Sequence, residues 1–246
     1  MPDFADMGHT VKEALTRVER WLLPAACLLC NEPISAREND ALVCDLCRLR
    51  WRPVPHPVCD RCGQPSFRGL ECRLCSSWPP GLGRARSAVW LEDSARAAVH
   101  QLKYEGWSRI AHSMAEAMRG LEPLTGRVCL VPVPLGAGRQ RKRGYNQSER
   151  IASALHGRCE LDLRTDLLTR VRETRTQTAL TPESRHANVL GAFAARDASG
   201  LDLVLVDDVF TTGATLAAAA AALMESGANR VEAVTFARAV VDLEMN

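Results

Sequence analysis

The sequence predicts an α/β protein, a parallel sheet flanked by helices and preceded by a small cysteine-rich module. Three observations carry this. Leu201 and Leu203-Val204-Leu205-Val206 are aliphatic without polar alternation, the pattern of a strand covered on both faces. Strand-like and helix-like segments alternate downstream of a run of breakers at Ser76-Ser77-Trp78-Pro79-Pro80-Gly81-Leu82-Gly83, which implies right-handed crossovers in a parallel sheet. Upstream of that run, eight of the ten cysteines form four C-x-x-C pairs.

The first element is an amphipathic helix in residues 1–26. Val11, Leu15, Val18 and Leu22 recur at helical spacing with Lys12, Glu13, Arg17, Glu19 and Arg20 between them, and the apolar side is expected to pack on the cysteine module. The apolar stretch Trp21 to Cys30 is too short to span a bilayer and is broken by Pro24, so no membrane insertion is expected.

Residues 27–78 hold the pairs Cys27/Cys30, Cys44/Cys47, Cys59/Cys62 and Cys72/Cys75. Each pair can direct two thiolates at one tetrahedral ion, so four pairs supply two Cys₄ zinc sites with no open position, structural rather than catalytic. A disulfide framework is the competing reading, but no cleavable signal precedes Cys27 and the chain reads as cytoplasmic. Order along the chain favours Cys27, Cys30, Cys44 and Cys47 on one ion and Cys59, Cys62, Cys72 and Cys75 on the other, with crossed pairing left open. From Cys27 to Trp78 there are seven Arg and six Asp or Glu, and eight thiolates with two Zn²⁺ add −8 + 4, leaving −3. The module is no basic footprint, although Arg48, Arg50 and Arg52 cluster and Trp51 could stack on a base. Cys129 and Cys159, outside the pairs, read as buried small hydrophobes.

Residues 84–246 form the larger domain. The patterns predict a strand over Ser87–Leu91, helices over Ser94–Tyr104 and Ser108–Arg119, a strand over Val128–Val133 and a helix over Gln147–His156. The Leu203 strand follows, then a helix containing the alanine run Ala217–Ala222, then a strand over Val231–Phe236. The net charge of +2 excludes a strongly electrostatic polyanion binder, so any nucleic-acid contact is local.

Chemistry is concentrated after the Leu203 strand. Asp207 and Asp208 are followed by Thr211, Thr212, Gly213, Ala214 and Thr215, which open onto a helix. Free N–H groups and the positive dipole end there suit a phosphate, and the carboxylates can accept hydrogen bonds from vicinal sugar hydroxyls. Because strand residues alternate sides, both acids reach one ribose only if the backbone turns between them. A phosphoacceptor receiver domain is excluded because too little chain follows Asp208, and a P-loop NTPase because no G-x-x-x-x-G-K-[ST] occurs upstream. The loops after Val133 and Val206 should converge. The first, Gly136 to Arg150, carries Arg139, Arg141, Lys142, Arg143 and Arg150 against Glu149, formally +4.

The acid pair with its Thr/Gly loop resembles the phosphoribosyl pyrophosphate (PRPP) signature of the type I phosphoribosyltransferases. That resemblance gives Asp207 and Asp208 the ribose hydroxyls and Thr211 through Thr215 the 5′-phosphate. A denser resemblance, from about Cys27 to Arg238, is to the ComF/GntX family of competence-associated proteins. It is carried by Leu102-Lys103-Tyr104 with Gly106, Val131-Pro132-Val133-Pro134-Leu135, Arg143-Gly144-Tyr145-Asn146-Gln147, and Thr174, Gln177, Leu180, Arg185 and Asn188. The double zinc ribbon is part of that family's layout.

The resemblance implies a type I phosphoribosyltransferase-like domain that binds PRPP, in a protein required for DNA uptake or for use of DNA as a nutrient. Single-stranded DNA and DNA-uptake machinery are the partners it implies. The acceptor is left open, as is whether the protein is an active phosphoribosyltransferase on a nucleobase or amine. Transfer chemistry would place Mg²⁺ between ribose and pyrophosphate oxygens, with Arg139, Arg143 and Lys103 neutralising the leaving charge. Arg164 to Asn188 would close over the site as a lid. A PRPP-sensing transcription regulator is disfavoured because the only additional module is the cysteine-rich one.

Overall fold

Strands that are apolar on both sides must be covered on both sides, and this chain covers them with helices. The computed structural model describes residues 26–34, 42–65, 72–76, 78–172 and 191–240. The central sheet contains β1 (Leu82–Trp90), β2 (Cys129–Pro132), β3 (Asp162–Leu163), β6 (Asp202–Phe210) and β7 (Arg230–Arg238). All are parallel, in the order β1-β7-β6-β2-β3. Two short strands, β4 (Leu168–Arg170) and β5 (Phe193–Ala195), pair antiparallel beside it.

The helices are α1 (Asp45–Leu49), α2 (Asp93–Tyr104), α3 (Ala111–Met118), α4 (Ala137–Arg143), α5 (Gln147–Cys159) and α6 (Ala214–Glu225). On one face Ala98, Leu102, Met114, Ile151 and Leu155 from α2, α3 and α5 meet Val204, Val206, Val234 and Phe236. On the other, Leu216, Ala220 and Leu223 of α6 meet Val131, Leu203, Leu205 and Ala233. Each fully buried Leu or Ile contributes roughly 1.5–3 kcal/mol.

α5 shows how local sequence sets an element. Asn146 caps it by accepting from Ser148 N at 3.1 Å and donates its amide to Val133 O at 3.0 Å, so the helix start is tied to the end of β2. Its buried residues include Ile151, Ala152, Ala154 and Leu155, and Glu160 in the left-handed region (φ 54°) ends it.

The cysteines gather as two separate clusters, Cys27/Cys30/Cys44/Cys47 and Cys59/Cys62/Cys72/Cys75, so pairing follows chain order and is not crossed. Sulfur separations of 3.7 Å (Cys30–Cys44), 3.8 Å (Cys59–Cys75) and 3.5 Å (Cys62–Cys72) are far from a disulfide. They match the edge of a tetrahedron with Zn–S bonds of about 2.3 Å, which is about 3.8 Å. Backbone N–H groups of Leu29 and Cys44 point at Cys27 Sγ, each at 3.4 Å, as they would toward a thiolate. Burial pushes the Cys62 thiol up to about 12, a penalty that a bound cation removes by taking thiolates as ligands. The donor sets fit two structural Zn²⁺ ions.

The cysteine module lies along the open edge of β1. Trp90 N donates to Arg52 O (2.9 Å), Ala85 N to Arg61 O (2.7 Å), and Pro53 bridges Val89 antiparallel. Trp51 is only 6% exposed and meets Phe236 edge-on, ring centroids 4.9 Å apart. It is therefore core and not a surface for stacking a base. Arg48 pairs with Asp45 and Arg52 with Glu92, so two of the three clustered arginines are engaged locally.

Other expectations also change. β1 begins at Leu82 rather than Ser87, because buried Leu82 already pairs with Val231. The basic stretch read as a loop contains α4, whose Ala, Arg, Gln and Lys are good helix formers and which Gly144 ends in the left-handed conformation (φ 82°). β6 continues through the acid pair to Phe210, with no turn between Asp207 and Asp208. The N-terminal amphipathic helix, and most of the expected lid with Thr174, Gln177, Leu180, Arg185 and Asn188, lie outside the described residues.

Candidate functional site

β2 leads on to β3 at one side of the sheet and β6 leads to β7 at the other, so these neighbours form a topological switch point with a crevice beyond their C-terminal ends. A cleft of about 210 Å³ opens there, between Val133–Leu135 and Arg139 on one wall and Asp207 to Thr211, Gly213 and Thr215 on the other. Lys103 enters from the end of α2, Gln147 and Ser148 from the start of α5, and Arg170 from β4.

Strand alternation sends the two carboxylates to different partners. Asp208, 3% exposed, pairs with Lys103 Nζ at 2.8 Å. Asp207 Oδ1 accepts from Ser148 Oγ at 2.7 Å and from the Asp208 backbone N–H at 2.9 Å, folding back along the strand so that both acids line one cleft without a turn. Burial, with Asp208 alongside, pushes the Asp207 carboxyl up to about 7. Burial alone would lower the Lys103 ammonium, but the Asp208 carboxylate outweighs it and holds Lys103 above its usual range.

After Phe210 the chain turns through Thr211 and Thr212 to Gly213, whose left-handed φ of 76° starts α6. The Thr212 hydroxyl is buried and has no hydrogen-bond partner in the structure, in the turn where an oxyanion would rest on the helix start. Trp78 closes the turn from behind: its indole N–H donates to Thr212 O at 3.0 Å.

Of the residues singled out by sequence, Lys103, Arg139, Asp207, Asp208, Thr211, Gly213 and Thr215 line the cleft. Thr212 and Ala214 are buried within the turn and helix start. Arg143 is not in the lining; it donates to Gln147 and lies 5.6 Å over the Tyr104 ring. Ser148, Arg170 and Trp78 were missed. Ser148 had a signal, because Asn146 followed three residues later by Glu149 is a helix-start signature that places Ser148 in the first turn. Arg170 and Trp78 had none.

Residues 18–76 match the double zinc ribbon domain and residues 141–245 the phosphoribosyl transferase domain. Over 224 residues the chain is 34% identical to the DNA utilization protein YhgH of Salmonella typhi, spanning 85% of this chain and 95% of that protein. It is 30% identical over 220 residues to the protein of the same name in Escherichia coli, with the same coverage. The competence protein ComFC of Bacillus subtilis is 26% identical over 220 residues, spanning 82% of this chain and 89% of that protein.

Proposed function

The chain belongs to the ComF family, and from that membership we propose that it binds PRPP with Mg²⁺ in the cleft between β2 and β6 and acts in DNA uptake or DNA utilisation, handling single-stranded DNA. The observation that carries the ligand is the joining of an acid pair and a Thr/Gly turn in one cleft at a switch point. Asp207 and Asp208 accept from the ribose hydroxyls. Backbone N–H groups of the turn, with the Thr211, Thr212 and Thr215 hydroxyls, hold the 5′-phosphate. Lys103 and Arg139 face the pyrophosphate, and a Mg²⁺ carried with PRPP would supply the remaining countercharge. Arg143 supports the wall through Gln147.

The nucleic-acid contact falls on α4. Arg141 and Lys142 are exposed there next to the cleft wall, whereas Trp51 is core and two arginines of the cysteine module are engaged with acids. Cytoplasmic DNA-uptake proteins are its working partners; among the described residues no helix is long and apolar enough to cross a membrane.

A second reading, transfer of the phosphoribosyl group to a nucleobase or amine, is favoured by Asp207. A carboxyl held to about 7 and facing the cleft can take the proton an N–H acceptor loses.

Calorimetric titration of Mg²⁺-PRPP into wild type and the Asp207→Ala/Asp208→Ala double variant, each with and without single-stranded DNA, tests this. Binding by wild type and at least a hundredfold loss in the variant are expected. Absence of PRPP binding by wild type would remove the ligand assignment. DNA binding that does not weaken with salt would remove the partner. Pyrophosphate release with an added acceptor separates the second reading from the first.

A further inference from the structure

The second cysteine cluster is linked to the phosphate turn through Trp78 and Arg238. The first is not: its links run through Trp51 to Phe236 and from Ser94 Oγ to Cys47 O. We propose that Trp78 and Arg238 are positioning residues through which the second zinc ribbon sets the shape of the Phe210–Gly213 turn, and with it the affinity for a sugar 5-phosphate. The inference rests on the PRPP reading and adds what tunes that site.

Trp78 follows Cys75 by three residues and belongs physically to the ribbon. Its N–H donates to Cys75 O (3.2 Å). Arg61, between Cys59 and Cys62, donates to Cys75 O and Pro79 O (each 3.0 Å) and lies 5.5 Å over the indole ring. The same indole packs against Gly213, where an added Cβ would lie 2.1 Å from Trp78 Cζ2. The indole N–H also holds Thr212 O at 3.0 Å. In a planar trans peptide the carbonyl and the next N–H point in opposite directions, so fixing Thr212 O toward Trp78 turns the Gly213 N–H toward the cleft side. That N–H is one of the donors a phosphate at the start of α6 would meet.

Arg238 is the second link. It is 0% exposed at the end of β7, and its guanidinium donates to Cys62 O (2.8 Å) and Gln64 Oε1 (3.1 Å) and lies 4.0 Å from Cys62 Sγ. A zinc-loaded Cys₄ cluster carries a formal charge of −2, a counter-charge for this buried cation. The guanidinium also lies 4.0 Å over the ring of Phe210, the last residue before the turn, and Ala239 N holds Phe210 O at 2.8 Å. The metal cluster, Arg238, Phe210 and the turn thus form one packed series, with Trp78 as a second route.

The test compares Trp78→Phe, which keeps an aromatic ring and deletes the donor, with Trp51→Phe, the same change at the first ribbon, where the indole nitrogen has no hydrogen-bond partner. Cys75→Ser removes a ligand of the second cluster. Affinities for Mg²⁺-PRPP, ribose 5-phosphate and inorganic pyrophosphate are measured by calorimetry, zinc content by chromophoric chelation, and turn opening by amide hydrogen exchange over residues 210–217. For Trp78→Phe, affinity for PRPP and for ribose 5-phosphate should fall by the same factor, about tenfold for one buried hydrogen bond. Pyrophosphate affinity and two zinc ions per chain should be retained, and exchange should rise at the turn. Cys75→Ser should do at least as much to the turn, and Trp51→Phe should change neither affinity nor turn exchange. Wild-type affinity and wild-type turn exchange in Trp78→Phe would overturn the proposal, as would equal effects in the two tryptophan variants. If wild type binds no PRPP the ligand assignment fails, and the exchange comparison still decides whether the second ribbon holds the turn.

Discussion

Asp207 and Asp208 are adjacent in sequence and differ in what surrounds them. Asp208 is matched by Lys103, whereas Asp207 is buried with a second carboxylate beside it, and these outweigh the donors Ser148 Oγ and Asp208 N–H and push its carboxyl up to about 7. Between the ordinary carboxylate value of 3.8 and about 7 the folded protein therefore holds a proton that the unfolded chain has lost. Stability contributed by this group is full at low pH and falls as pH rises through that window. Asp207→Asn keeps an acceptor for Ser148 and removes the charge. It should leave stability at pH 4 unchanged and raise it at pH 8, on the order of 1–3 kcal/mol, in denaturant titrations at the two pH values. In the wild type, Mg²⁺-PRPP affinity should climb as pH passes 7, because the ionised carboxyl accepts from a hydroxyl of the ligand more strongly than the protonated one. Asp207→Asn should lose most of that climb, and an unchanged pH profile would place the ionisation elsewhere.

At the scale of elements, the site depends on how β2, α5 and β6 meet. Asn146 joins two of them, capping α5 and holding the Val133 carbonyl, and α5 in turn presents Ser148 to Asp207. Asn146→Ala should cost about 1–2 kcal/mol in thermal or chemical unfolding, and Asn146→Ser, which keeps a cap acceptor and loses the amide donor to Val133 O, should cost less. The strand, the acid pair, the Thr/Gly turn and the alanine-rich helix were legible because each is a local pattern within about fifteen residues. α4 was not, since a run of arginines reads as solvated charge; the signals for it were the helix-forming set between Gly136 and Gly144. Trp51 was misread for a related reason, since an aromatic among arginines suggests a stacking platform until its burial against Phe236 is seen.

At the scale of the molecule, the contacts that complete the site span long sequence distances. Ser148 and Asp207 are 59 residues apart, Trp78 and Thr212 are 134, and Arg238 and Cys62 are 176. No periodicity or spacing can announce such pairs, because they arise only once sheet order and ribbon docking are set. Cysteine spacing made the two clusters legible; their placement against the sheet was not in the pattern. That placement has a consequence for assembly. β1 has β7 on one side and the backbone of the ribbon on the other, through Arg52, Pro53 and Arg61. An uncovered parallel edge is a template for strands from other chains. A chain begun at Leu82 is therefore expected to self-associate in light scattering, where the intact protein stays monodisperse, and a monodisperse truncated form would show that the edge protects itself by other means. Metal loss that loosened the ribbon would then appear as clumping between molecules as well as weaker hold on the ligand.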